Sequence, residues 1–312
     1  MFEPAYIRLH RDGRLLQRIE QGRALLEDCH LCPRECGVDR TRGELGYCKT
    51  ARYAKVASFG PHFGEEAPLV GRYGSGTIFF SSCNLLCSFC QNYDISHLRA
   101  GSVAGPSEIA SMMLALAGSG CHNINFVTPT HVVPQILEAL PAAIEGGLNL
   151  PLVYNTGTYD SVDTLKLLDG IIDIYMPDFK FWEERHAKTY CAAQDYPYIA
   201  RAAIAEMHAQ VGDLTIDEDG IARRGLLVRH LVMPGDIAGT GDIMRFLAQE
   251  ISKDTYVNIM DQYRPCFHAE RDKTINRRIT RDEYIEAVEA AHRHGIHRLD
   301  AQQHSIIMRF LN

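Results

Sequence analysis

The chain has 312 residues, 46% hydrophobic and 23% charged, the balance of an ordinary globular protein with room for one large α/β domain and a small appended module. A formal charge of −7 provides no global basic field, which argues against duplex nucleic acid as substrate. No run of about eighteen apolar residues occurs, so no membrane span is expected. The opening segment MFEPAYIRLHRDGRLLQRI has scattered charges and no apolar stretch of the kind a secretory signal needs.

Apolar residues at helical spacing predict a short amphipathic helix over 13–27, followed at 28–50 by a Cys-, Gly-, Pro- and Arg-rich stretch without period, as in a loop-built metal module. β-type sequence begins at 52–60. Strands are then expected at 76–82, 123–127, 151–155, 171–176, 225–233 and 255–260, alternating with helices at 106–119, 132–146, 161–168, 185–212, 241–252 and 281–295. Ser107 and Asp242 stand near helix starts, and Gly295 at a helix end. Six βα repeats with apolar strands imply a parallel sheet covered by helices, two units short of a closed eight-stranded barrel. The expected fold is therefore α/β: a partial (β/α)6 TIM-like barrel over 61–312, preceded at 1–60 by a helix and a cysteine-rich metal module.

Seven of the ten cysteines fall in two close-spaced groups, as metal ligands do and disulfide pairs do not, which fits a reducing cytoplasm. Cys121, Cys191 and Cys266 stand alone and read as small buried hydrophobes. In SSCNLLCSFCQN, Cys83, Cys87 and Cys90 form C-x3-C-x2-C just after a strand-like run. Three thiolates on one tight loop suit three irons of a cubane cluster, leaving the fourth iron open to a chelating amino acid group. This loop closely resembles that of the radical S-adenosylmethionine (SAM) superfamily, and the resemblance puts Phe89 near the adenine of SAM.

In a parallel barrel the C-terminal strand ends face the active site. Here they carry Val127-Thr128-Pro129-Thr130-His131, Asn155-Thr156-Gly157, Met176-Pro177-Asp178-Phe179-Lys180, Arg229-His230 and Asp261-Gln262-Tyr263-Arg264. Arg229 and His230 alternate, so one of the two faces inward, and Arg229 is the expected one. With the run CHLCPRECGVDRTRGELGYC, the segments YNTG, YMPDFK and VRHLVMPG resemble the pyruvate formate-lyase activating enzymes, specifically their PflX-type branch, from about residue 28 to 300. That resemblance implies that Asn155, Thr156, Met176, Asp178, Lys180 and Arg229 lie beside SAM. The chemistry agrees, since the SAM carboxylate needs a cation (Lys180, Arg229) and its ribose needs hydrogen-bonding partners (Asp178, Asn155). The family's Gly-Gly-Glu-Pro stretch is replaced by Phe126-Val127-Thr128-Pro129-Thr130. Thr128 accepts a hydrogen bond without charge, so the SAM ammonium relies more on iron and carbonyls. Tyr263-Arg264 stands where the family has a histidine.

The resemblance implies an enzyme that receives one electron from a flavodoxin or ferredoxin. It would cleave SAM reductively at a [4Fe-4S] cluster to a 5′-deoxyadenosyl radical, and the radical would abstract hydrogen from a substrate, by family a glycine of a glycyl radical enzyme. The alternative is a radical SAM enzyme that modifies a small metabolite or peptide with help from an auxiliary cluster. Cys29, Cys32, Cys36 and Cys48 read C-x2-C-x3-C-x11-C, a fully ligated site for zinc or for a second iron–sulfur cluster.

Overall fold

The computed structural model describes residues 2–300; Met1 and positions 301–312, the end of the expected barrel domain, lie outside the described residues. Two helices, α1 (Ala5–Arg11) and α2 (Arg14–Ala24), precede the cysteine-rich loops. Next come β1 (Ala54–His62), α3 (Ala67–Val70), β2 (Ser75–Phe80), α4 (Tyr93–Ser96), β3 (Ser102–Ala104) and α5 (Pro106–Gly118). The middle of the chain forms β4 (Ile124–Val127), α6 (Val133–Glu145), β5 (Leu152–Thr156), α7 (Val162–Leu167), β6 (Ile174–Pro177), α8 (Glu184–Cys191) and α9 (Tyr196–Val211). It ends with β7 (Thr215–Ile216), β8 (Ala222–Leu231), α10 (Thr240–Phe246), β9 (Tyr256–Met260) and α11 (Arg281–His294).

Strands β2, β4, β5, β6, β8 and β9 pair in parallel in that order, the six-stranded arc that the βα alternation implies. Among the described residues β9 does not pair with β2, so the barrel stays open. The sheet continues past β2 through antiparallel β1 and β3, an extension the repeat pattern did not indicate. Leu69, Val153, Ile174, Met176, Leu227 and Tyr256 pack inside the arc. The helices cover its outer face. Loops reach across the open side: Asn258 on β9 donates to Glu66 at 2.7 Å, and the Ala67 amide to Asp300 at 3.1 Å.

Local chemistry accounts for the departures from the expected elements. Helix α1 buries only Tyr6 and Leu9 and is too short to show a period. The stretch 185–212 breaks in two because Ala192 adopts a left-handed conformation at φ 50°, where Arg34 takes the carbonyls of Cys191 and Ala192. Gly295 closes α11 at φ 89°, whereas Ser107 and Asp242 sit inside first turns capped by Gly105 and Gly239. Among the described residues no helix is long and apolar enough to cross a membrane.

Helix α2 docks on α6 through Gly22, where a Cβ would lie 3.2 Å from Leu137. Beside it the buried Glu138 accepts from Arg23 and, at 2.6 Å, from Arg52. Removing the acid strands two cations that remain partly hydrated. Glu138→Ala is therefore expected to cost about 2 kcal/mol, less than a fully buried pair. Urea unfolding measures this, and a loss below about 0.5 kcal/mol would contradict the role given to Glu138.

Candidate active site

The segment after β2 turns sharply enough to place three cysteines around one space. Ser82 (φ 77°) and Leu86 (φ 57°) both take left-handed conformations, strain that must be held by contacts elsewhere. Those contacts are backbone hydrogen bonds: Ser82 N to Ile95 O (3.0 Å), Ser88 N to Tyr190 O (2.8 Å), and His268 N to Ser88 O (2.9 Å). Cys83, Cys87 and Cys90 line a cavity of about 250 Å³ at the C-terminal ends of the parallel strands. Polar groups lie beside the sulfurs: the Leu85 amide donates to Cys83 Sγ at 3.4 Å, and Ser96 Oγ, which donates to Asn92 O, lies 3.2 Å from Cys90 Sγ. Burial pushes the Cys83 thiol up to about 12, so ligation of a thiophilic metal there displaces a proton. Three soft donors in a partly open cavity, with polar groups beside the sulfurs, fit a cluster that keeps one metal corner open.

The opposite wall is polar. Asp178 accepts from Lys180 Nζ at 2.7 Å and from Arg229 Nε at 2.6 Å. Arg229 also donates to Asn155 Oδ1 at 2.8 Å. Burial opposes the charge on Asp178, but Arg229 and then Lys180 outweigh it and hold the carboxyl below the usual range. Lys180 likewise stays charged despite desolvation because Asp178 is beside it. Behind them Glu65 and Glu66 lie 3.7 and 3.9 Å from Arg229 Nη1. Neither acid stands out in the sequence, because the loop that carries them meets Arg229 only through the open side of the barrel.

Thr128, Asn155, Thr156, Asp178, Lys180 and Arg229 all line the cavity with the three cysteines. Phe89 is buried there too, against Phe181, Tyr190 and Tyr263 at 5.8, 6.5 and 6.3 Å between ring centres. Met176 does not reach the cavity wall, contrary to the expectation that it would contact the cofactor. It shares the inward face with Asp178, two residues on, but packs one layer below, among Val153 and Leu227. The Thr156 hydroxyl is engaged away from the cavity, donating to Asp160 at 2.6 Å. His230 faces the helices, hydrogen-bonded at 2.9 Å to both Phe179 O and Thr240 Oγ1, and leaves the cavity face to Arg229. His131 is buried behind the cysteine loop, where Nε2 donates to Ser81 O at 2.8 Å. Leu231, Met233, Met260 and Gln262 complete the wall. Cys191 is buried as its sequence context suggests, yet its Sγ lies 3.3 Å from Cys87 Sγ, a proximity that no spacing signals.

Compared with known folds, this arrangement overlays a radical SAM methyltransferase from Sphaerobacter thermophilus with a TM-score of 0.50 and 15% identity, over 70% of this chain and 64% of that one. The hydrogenase maturase HydG from Carboxydothermus hydrogenoformans overlays at a TM-score of 0.48 and 12% identity, over 68% of this chain and 49% of that one. The chain has the fold of a radical SAM enzyme, spanning 64% of the methyltransferase's length. No family model matches the sequence. An uncharacterized protein of Methanocaldococcus jannaschii, MJ0674, is 31% identical over 289 residues, 89% of this chain and 78% of that protein. This chain belongs to the family of MJ0674.

The buried acids behind the wall give the molecule a pH signature. Burial raises Glu66 from 4.5 to about 7, with Arg229 pulling the other way. The folded state thus holds this proton more tightly than the unfolded chain. The corresponding stability is fully present below about pH 4.5 and is lost as the pH rises through about 7. Glu66→Gln keeps an acceptor for Asn258 and is expected to flatten that decline in urea titrations across the same window. An unchanged pH slope would refute it.

Proposed function

We propose that the protein is a radical SAM enzyme whose Cys83, Cys87 and Cys90 hold a [4Fe-4S] cluster and whose strand-end wall binds SAM. The observation that carries this reading is the facing of two chemistries across one cavity: three thiols on one side, and Asp178, Lys180, Arg229 and Asn155 on the other. Held by these residues, the cluster would supply the one electron that cleaves SAM into methionine and the hydrogen-abstracting 5′-deoxyadenosyl radical. The chain's own residues do the positioning. Lys180 and Arg229, fixed by Asp178, offer their remaining N–H groups to the SAM carboxylate. Asn155 Nδ2, Thr128 and Gln262 offer hydrogen bonds to the ribose and ammonium. Buried Phe89 lends an aromatic surface, and the apolar rim of Leu231, Met233 and Met260 limits water near a reactive radical.

The cavity is partly open at the C-terminal ends of the strands, within reach of a large hydrogen donor docked at its mouth. This supports a hydrogen donor presented at the mouth by a larger partner, in line with the activating-enzyme reading and a glycine of a glycyl radical enzyme. A one-electron donor such as flavodoxin or ferredoxin would serve as reductant. The N-terminal quartet Cys29, Cys32, Cys36 and Cys48 would hold a second metal centre, zinc or iron–sulfur.

Three experiments test this function. Anaerobically reconstituted protein is expected to bind about four irons at the Cys83 loop and, once reduced, to form 5′-deoxyadenosine from SAM; Cys87→Ala should do neither. Iron-loaded protein that leaves SAM intact under strong reductant would refute the reading. Lys180→Met removes a charge-assisted contact and leaves Asp178 paired with Arg229. It should weaken SAM binding about 10-fold or more by calorimetry, and an unchanged affinity would exclude Lys180 from the site. Cys191→Ala removes a sulfur neighbour of Cys87 and is expected to lower the cluster's midpoint potential in an EPR-monitored redox titration with iron content unchanged; an unmoved potential would exclude that role.

A further inference from the structure

Residues 29–48 fold as loops around a small cavity lined by Cys29, Cys32, Cys36 and Cys48, with Arg40 and His131 on its wall. The surroundings are shaped for sulfur. The Tyr47 amide lies 3.3 Å from Cys36 Sγ, and a Cβ on Gly46 would come within 2.8 Å of the same atom. Among the described residues no three of these sulfurs, nor any other three metal-binding groups, already converge on one point, so loading must draw the loops inward.

Arg40 points to what the cavity takes. It is 1% exposed, and its guanidinium donates to Ala51 O and, at 2.9 Å, to His131 O, with Nη1 3.9 Å from Cys29 Sγ. Among the described residues no carboxylate pairs with it. A buried guanidinium without a counter-charge is costly, and four neutral thiols supply none. Four thiolates around a zinc ion, or around a [4Fe-4S] core, carry a net negative charge and would supply it.

The same loops hold the backbone on both sides of Cys83. Arg34, between Cys32 and Cys36, donates through Nε to Asn84 O at 2.9 Å and through Nη1 to Ala192 O at 2.7 Å, and it stacks 3.9 Å over Tyr47. The Asn84 side chain donates to Tyr159 O at 2.6 Å. On the other side, His131 Nε2 donates to Ser81 O, and the His131 carbonyl accepts from Arg40 Nη1.

We propose that Cys29, Cys32, Cys36 and Cys48 bind a thiophilic metal centre charge-matched by Arg40, and that this centre, acting through Arg34 and His131, is the buttress that fixes the backbone flanking Cys83. The metal site stands on its own residues; the consequence for a cluster rests on the function proposed above. Arg34 and His131 are positioning residues in this account.

The test uses the full chain, purified and reconstituted without oxygen, with metal and sulfide analysis and hydrogen exchange. The Cys83/Cys87/Cys90→Ala variant is expected to retain metal: about one zinc, or about four irons with sulfide, these two arms separating the forms of the centre. Cys36→Ala and Arg40→Met should each lose it or bind it about tenfold more weakly. If the Cys83/Cys87/Cys90→Ala variant holds neither zinc nor iron, the site is overturned. In the Cys83/Cys87/Cys90→Ala background, amides of residues 84–90 should exchange about tenfold faster after Arg34→Met or chelator stripping than in the metal-loaded variant. Equal exchange would overturn the buttress. Exchange is read without any cluster at Cys83, so a wild type that takes no iron there would refute the radical reading and leave this test intact.

Discussion

The active-site end of the barrel depends on Asp178. Its two oxygens bind the cations of Lys180 and Arg229, and its backbone bridges to Arg229 just past the last residues of β6. One carboxylate thus fixes two side chains and the splay of two strands. Without it, Lys180 would lose the carboxylate beside it, and Arg229 would be left with the more distant Glu65 and Glu66. That is a destabilising loss for cations that are largely out of water. This is why the polar wall stays charged in a partly open cavity and presents donors in a fixed geometry.

The facing wall is built by the opposite strategy. The cysteine loop stores strain at Ser82 and Leu86 and has almost no regular structure of its own. Its shape is imposed by neighbours distant in sequence: Tyr190 and His268 on its middle, and Arg34 and His131 on its shoulders. Rigid strand ends on one side and an externally braced loop on the other suit a site that accepts a bulky inorganic group without losing the alignment of the organic one.

Much of this was legible in the sequence. The six parallel strands follow from apolar runs separated by helical periods, and the strand ends collect Thr128, Asn155, Asp178, Lys180 and Arg229 because barrel topology gathers such positions. Strand alternation required that only one of Arg229 and His230 face inward, and the need for a cation beside a carboxylate, with the family resemblance, chose Arg229. Met176 was misplaced because the same alternation sets its side but not its depth. What stayed hidden depends on long-range contact. The break at Ala192 follows from Arg34 reaching across 158 positions. Cys191 looks like filler until α8 ends against Cys87, and Glu65 and Glu66 meet Arg229 only because β9 leaves the barrel open.

The central claim is that the cysteine loop presents an open metal corner toward the Asp178–Lys180–Arg229 wall. The most direct measurement is the EPR spectrum of the dithionite-reduced, iron-loaded protein with and without SAM. A marked change in the cluster signal on adding SAM, lost in Lys180→Met at the same SAM concentration, is the result expected of a ligand bound at both the iron and the wall. A cluster signal indifferent to SAM would contradict the account.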